Sequence, residues 1–197
     1  MRVFIFILSY MFCTMANAQI LPSYGGERAG QSAFTFLKND MSVRSAGMGG
    51  ASAALPGDRY SGMQNPAGLS SLSSSSFALS HIQLGGNLSQ IGILTSIPNK
   101  KASSAWGLSL NRIQTPAYTE RTEFQPEGTG YKLYSSQTSA GLSYSKQLTE
   151  QFQLGITLKS ISESYTTGGQ NGAYNAFSAA ADVGFLYTTD LKDLRFA

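Results

Sequence analysis

From Ser76 onward the chain alternates apolar and polar residues in segments of about ten, and this period of two constrains its fold more than any other feature. Strand candidates run over residues 76–84, 88–97, 104–113, 135–147, 152–164 and 176–189. In the third, Trp106, Leu108 and Leu110 share a face opposite Gly107, Ser109 and Asn111; in the fourth, Ala140, Leu142 and Tyr144 oppose Gly141, Ser143 and Ser145. The fifth sets Phe152, Leu154, Ile156 and Leu158 against Gln153, Gly155, Thr157 and Lys159. The sixth sets Ala181, Val183, Phe185 and Tyr187 against Ala180, Asp182 and Gly184, with Leu186 as an exception. One face is greasy and the other small and polar. A water-soluble sandwich tends to carry Lys, Glu, Arg and Thr on its outer faces, whereas Gly, Ser, Asn and Thr suit the inside of a crowded barrel. Ten residues is also about the length a tilted strand needs to cross a bilayer.

The connections differ by parity. Residues 98–103, 148–151 and 190–193 are short, whereas 114–134 and 165–175 are longer. In an up-and-down meander the two sets lie at opposite ends, as do the short periplasmic turns and long outer loops of bacterial barrels. Gly85-Gly86-Asn87 is the one short outer link. Folding 165–175 into a hairpin brings Lys159 roughly opposite Asp182 on the small polar face, which predicts an ion pair inside the barrel; the alternative is that both meet lumen water. Residues 193–197 start a new alternating strand with no partner, and an open sheet edge is not tolerated in hydrocarbon. The expectation is therefore an antiparallel transmembrane β-barrel, all-β, truncated after about six or seven strands.

The start of the chain supports export. Arg2, an apolar run from Val3 to Phe12 and the small-x-small site Ala16-Asn17-Ala18 read as a signal peptide over residues 1–18, cut before Gln19. A lipoprotein reading on Cys13 is disfavoured because Tyr10, Met11 and Phe12 precede it. Cys13 is the only cysteine, so disulfides, Cys-ligated zinc and thiol nucleophiles drop out of the exported chain. Of 14 basic residues Arg2 leaves with the leader, and the near balance with 11 acidic residues argues against a nucleic-acid surface. Charged residues make up 13% of the chain, against a usual ~25%. That scarcity, with 21 glycines, suits a membrane barrel and also a secreted β-sandwich.

Between leader and first strand, residues 19–75 fit neither a strand nor a regular helix. Apolar content this high is seldom left free in a long loop. Pro66 stops a helix and removes a donor, and Asn65 before it initiates a turn. Such a segment could fill a barrel mouth.

Three stretches here carry a family resemblance: Gly30-Gln31-Ser32-Ala33-Phe34-Thr35-Phe36-Leu37, Arg44-Ser45-Ala46-Gly47-Met48-Gly49-Gly50-Ala51, and Asn65-Pro66-Ala67-Gly68-Leu69. They resemble the N-terminal signature of the PorV/PorQ family of Bacteroidetes outer-membrane proteins, relatives of the FadL-type barrels. Ala140-Gly141-Leu142-Ser143-Tyr144, Leu154-Gly155-Ile156-Thr157-Leu158-Lys159 and Ala181-Asp182-Val183-Gly184 match the family's cadence of strands, so the likeness covers about residues 30–190. Gly57-Asp58-Arg59 and Met63-Gln64 stand where the family usually shows a second Asp and an aromatic, which leaves both branches open. The resemblance implies a FadL-like barrel of about fourteen strands, an even number as is usual for such barrels. Residues 19–75 would be a hatch in its lumen and 76–197 the N-terminal part of its wall. Arg44, Gly47, Gly49, Gly50, Asp58, Asn65, Pro66 and Ala67 form the hatch motif.

It further implies a non-enzymatic part in type IX secretion, without cofactors. The PorV branch accepts exported cargo through a C-terminal signal domain, and the PorQ branch helps build the surface-attachment complex. The partners are then outer-membrane lipid and either cargo or attachment-complex subunits, with no nucleic acid. Two alternatives stand beside it: a FadL-type transporter of hydrophobic small molecules, and a soluble secreted β-sandwich or adhesin.

Other motifs carry less. Gly47-Met48-Gly49-Gly50 lacks the spacing and flanking elements of a phosphate loop. Asn65-Pro66-Ala67 lacks the long apolar helices that flank it in aquaporins. His81 is the sole histidine, so no metal or Ser-His-Asp site can be completed around it in the usual way. Glu120, Glu123 and Glu127 lack the dense spacing of a calcium loop and read as a solvated tip. Tyr131, Tyr134 and Tyr165 lie at the outer strand ends, where an aromatic girdle is expected, with loop packing as the alternative.

Overall fold

Each segment with a period of two is a strand. The computed structural model describes residues 34–166, 172–191 and 194–197. The leader, the first resemblance motif up to Ala33, and residues 167–171 and 192–193 lie outside the described residues. The long strands are β1 (Ser76–Gln83), β2 (Ser89–Asn99), β3 (Ser104–Gln114), β5 (Lys132–Gln147), β6 (Phe152–Thr166) and β7 (Ala173–Thr188). Their ends fall within three residues of the sequence expectation. One short strand was not expected: β4 (Tyr118–Thr119), which folds the long connection back onto Leu133 and Lys132 of β5; the strand expected to start within residues 193–197 is β8 (Arg195–Phe196), which begins a ladder on Tyr187 and Thr188.

All pairings are antiparallel, in the order β1-β2-β3-β5-β6-β7-β8 with β4 on β5. The sheet is a meander of eight strands among the described residues, and it is open: β1 and β8 end the order without pairing to each other. The turns β2–β3, β5–β6 and β7–β8 lie at one end. The β1–β2, β3–β5 and β6–β7 connections lie at the other, as the parity of the connections requires.

Residues 34–75 cover one face of this sheet. They form a 3-10 turn (Thr35–Lys38), helix α1 (Val43–Gly47), helix α2 (Ser61–Gln64) and a 3-10 turn (Pro66–Ser71). Short elements follow from short signals. Ser42 caps α1 by accepting from Ser45 N–H at 3.2 Å, and Gly49 and Gly50, with φ of 65° and 85°, end it in the left-handed region that favours glycine. Asn65 caps the second 3-10 turn through Ala67 N–H, with Pro66 in first position where its missing donor costs nothing.

The covered face is the small polar one. Ala78, Ser80, Gln90, Leu94, Ser96, Ala105, Asn111, Ser139, Ser143, Ser145, Gln153 and Thr157 are buried on it, and the core is completed from the other side by Phe36, Met41, Ala67 and Leu69. The exception in the sixth strand belongs here: Leu186 is fully buried on this face beside its cross-strand partner Gln153. A large apolar side chain fits there because the face meets protein at that point.

The opposite face is apolar and uncovered. Phe77 (63% exposed), Leu108 (56%), Leu158 (58%) and Val183 (72%) lie on it, with Leu79, Ile93, Ile97, Leu142, Ile156 and Phe177 among their exposed neighbours. Water-soluble monomers rarely leave so much contiguous apolar surface bare.

Candidate functional site

The most elaborate constellation in the molecule is the seat of residues 34–75 on the sheet. It is built from glycines and hydroxyls in the strands and from the Asn65-Pro66-Ala67 motif above them. Gly155 of β6 and Gly184 of β7 are direct cross-strand neighbours. A Cβ on Gly155 would collide with the backbone of Pro66 and Ala67, and one on Gly184 with the Asn65 side chain. The two missing side chains form a notch in which the motif lies against the sheet backbone. Further along, a Cβ on Gly107 would come 3.0 Å from Leu69 Cδ1, and one on Gly92 would come 2.6 Å from Met41 Cε. Four glycines from four strands thus follow the path of the covering segment.

Polar groups hold the motif in this notch. Asn65 Nδ2 donates to the carbonyls of Ala53 and Phe185, both at 2.9 Å, while its Oδ1 accepts from Ala67 N–H at 3.1 Å. Ser145 Oγ donates to Ala67 O at 2.8 Å, and Ser143 and Thr157 donate to Gly62 O at 3.3 and 3.4 Å. Ser70 and Ser71 donate to Gln153 Oε1 at 3.1 and 2.8 Å. Every buried side-chain polar atom among the described residues has a hydrogen-bond partner. The polar face therefore supplies donors, from Ser143, Ser145 and Thr157, for carbonyls that short helices and turns leave unsatisfied, and an acceptor, Gln153, for the serines that follow them.

Nearer the long connections the segment lifts from the sheet and leaves a polar cavity of about 350 Å³, lined by Asp40, Gln64, Ser109, Asn111, Ser139 and Lys159 among others. Asp40 Oδ1 accepts from Ser42 N–H and from Gln64 Nε2, both at 2.9 Å. Asn39, Gln90 and Asn111 form a chain of 3.0 Å hydrogen bonds at its side. Lys159 forms an ion pair with Asp182 on this same face. Lys159 is directly opposite Ala180, and Asp182 opposite Thr157, so the pair is diagonal, two residues off direct opposition.

The remaining hatch-motif residues divide into local and docking roles. Asp58 is buried and accepts from Tyr60 N–H at 2.8 Å; Arg44 lies over it on the exposed side, with Nη1 at 4.0 Å. Gly47, Gly49 and Gly50 are not held by close packing: a Cβ built on any of them would meet nothing within 4 Å. Of the eight, only Asn65, Pro66 and Ala67 meet the glycine notch.

The three tyrosines do not form one row. Tyr134 shares the outward face of Leu142. Tyr165 shares the covered face of Lys159, where its hydroxyl accepts from Gln137 Nε2 at 2.9 Å and donates to Glu163 at 3.3 Å. Tyr131 precedes β5. Outward aromatics gather instead at the short-turn end: Trp106 lies across from Tyr144 with ring centroids 4.7 Å apart, and Phe152 stacks near Phe185 at 6.5 Å, beside Tyr187 and Phe196. Strand parity and position in the segments, both readable from the sequence, would have found this cluster. Gly155 and Gly184 were also visible, as glycines on the small face of neighbouring strands, but their partner was not.

No group of three or more His, Cys, Asp and Glu side chains that could hold a metal occurs among the described residues. No family model, curated protein or solved structure matches the chain.

Proposed function

We propose that this chain forms the wall of an outer-membrane β-barrel with residues 34–75 as a docked hatch, and that it serves type IX secretion as a non-enzymatic component. In that role it binds or shuttles exported cargo, or supports the surface-attachment complex. The observation that carries the membrane part is the division of the sheet into a bare apolar face and a small-residue face occupied by the motif segment. From Phe177 to Tyr187 the outward residues of β7 advance ten steps, roughly 34 Å along a strand. At a tilt of ~40° that is a band about 26 Å high, close to the ~25 Å apolar belt of outer-membrane barrels. The aromatic cluster at the short-turn end supplies one interfacial girdle under this reading. A soluble sandwich would need a second sheet over the apolar face, and the described residues contain no such sheet.

The secretion part rests on the resemblance of the three N-terminal stretches, two of which lie wholly in the docked segment. Its test is capture of the full-length gene product, crosslinked in its host and extracted from outer membranes with detergent, followed by mass spectrometry of the co-captured proteins. Exported proteins sharing a C-terminal signal domain, or attachment-complex subunits, are the expected partners and separate the two branches. A barrel recovered without either would overturn the secretion role, and absence from the membrane fraction would overturn the barrel.

A further inference from the structure

Arg112 is a cation on the largely apolar outward face. It is exposed on β3 in line with Leu108 and Leu110, and its cross-strand neighbours on that face are Ile91 and Thr138. Among the described residues nothing forms a hydrogen bond or ion pair with its side chain. If this face meets lipid, a guanidinium there is costly unless it reaches the interface and finds an anion. The surroundings extend the pattern. Arg112 lines a recess of about 220 Å³ with Asn87, Ser89 and Gln114, on the side of the long connections. The next outward row along the same strands opens into an apolar groove of about 500 Å³, lined by Ile93, Leu108, Leu110, Ala140, Leu142 and Ser160 among others. The groove exists because Ala140 and Ser160, direct cross-strand neighbours, are short where leucines flank them. Ile91 borders the polar recess and Ile93 the apolar groove, so the two lie next to each other along the outward face of β2.

We propose that this strip of β2, β3 and β5 binds an anionic phospholipid, with Arg112 on the phosphate and the groove holding an acyl chain. The site rests on the membrane reading given above. A planar guanidinium matches two phosphate oxygens, and Gln114 adds an amide donor beside it, while Ser89 Oγ is paired with His81 Nε2 at 3.0 Å on the same face. The adjoining groove has the opposite chemistry, so the polarity of the strip runs in the order of a lipid, headgroup towards the long connections and chain towards the middle of the band.

The test uses the full-length protein in bilayer nanodiscs containing equal phosphatidylglycerol and phosphatidylcholine with identical acyl chains, released for native mass spectrometry. Wild type is expected to retain phosphatidylglycerol in preference. Arg112→Gln should lower that retention about fivefold and lower phosphatidylcholine retention by much less, because the choline cation already offsets its phosphate, while Ala140→Phe, which fills the groove, should lower retention of both to a similar extent. Both substitutions point away from the hatch seat, and heat-modifiable electrophoretic migration checks that each variant is folded. Equal retention of the two lipids by wild type, or equal phosphatidylglycerol retention by wild type and Arg112→Gln, would overturn the site while leaving the barrel intact. A wild-type chain that never enters the bilayer, seen in the same migration assay, would overturn the membrane reading and the lipid site with it.

Discussion

At the scale of single residues, the glycines of the sheet and those of the hatch motif do different physical work. Gly155→Ala places a methyl against the backbone of Pro66 and Ala67, which cannot swing away as a side-chain tip could. We expect about 1–3 kcal/mol of destabilisation, read as a lower urea midpoint in detergent and faster proteolysis of residues 34–75. Gly47→Ala, in a helix with open space around it, should be neutral or stabilise by ~0.5 kcal/mol. Asn65 supports a sharper test because its two ends have distinct partners. Asn65→Asp keeps the acceptor for Ala67 N–H but leaves the Ala53 and Phe185 carbonyls without their donor. It should lose at least ~2 kcal/mol, and an Asp variant as stable as wild type would show that those two bonds contribute nothing. The ion pair is unequally placed, Lys159 being 15% exposed and Asp182 43%. Removing the carboxylate strands the more buried charge, so Asp182→Asn should destabilise more than Lys159→Met, by roughly 1 kcal/mol, in paired urea titrations.

At the scale of elements, the strands were legible and their covering was not. Alternation is a local property, so β1 to β3 and β5 to β7 could be read from the order of side chains alone. The register of the β6–β7 hairpin follows from its loop closely enough to place Lys159 near Asp182. What the alternation could not say is whether the small polar face meets lumen water or protein. Ser143, Ser145 and Thr157 look the same in either case, and only the position of Gly62 and Ala67 above them identifies them as donors to carbonyls of the covering segment. Residues 34–75 were opaque for a related reason. Their helices are four and five residues long, too short to stand by themselves, so they hold shape through contacts distant in sequence such as Asn65 to Phe185. Tyr165 has the position along its strand that a girdle requires but lies on the covered face, which strand parity and not height decides.

At the scale of the whole molecule, the two faces make a claim about solvent that one residue can report. Trp106 is the sole tryptophan of the chain. It stands 51% exposed on the apolar face, against Tyr144 and near the short-turn end. If that face meets lipid, the indole sits in or just beneath the interfacial girdle, out of reach of water-soluble quenchers. The full-length protein reconstituted in liposomes should then show blue-shifted emission, strong quenching by lipids brominated along the acyl chain, and weak quenching by acrylamide. Bromines placed at successive depths should quench most towards the headgroup end, because Trp106 follows the β2–β3 turn by only a few residues. Leu108→Trp in a Trp106→Phe background moves the probe two residues towards the middle of the band, roughly 5 Å deeper at the usual strand rise and tilt, and should shift the depth of maximum quenching inward. Strong acrylamide quenching of both probes with no effect of brominated lipid would place the apolar face in water and exclude the bilayer as its partner.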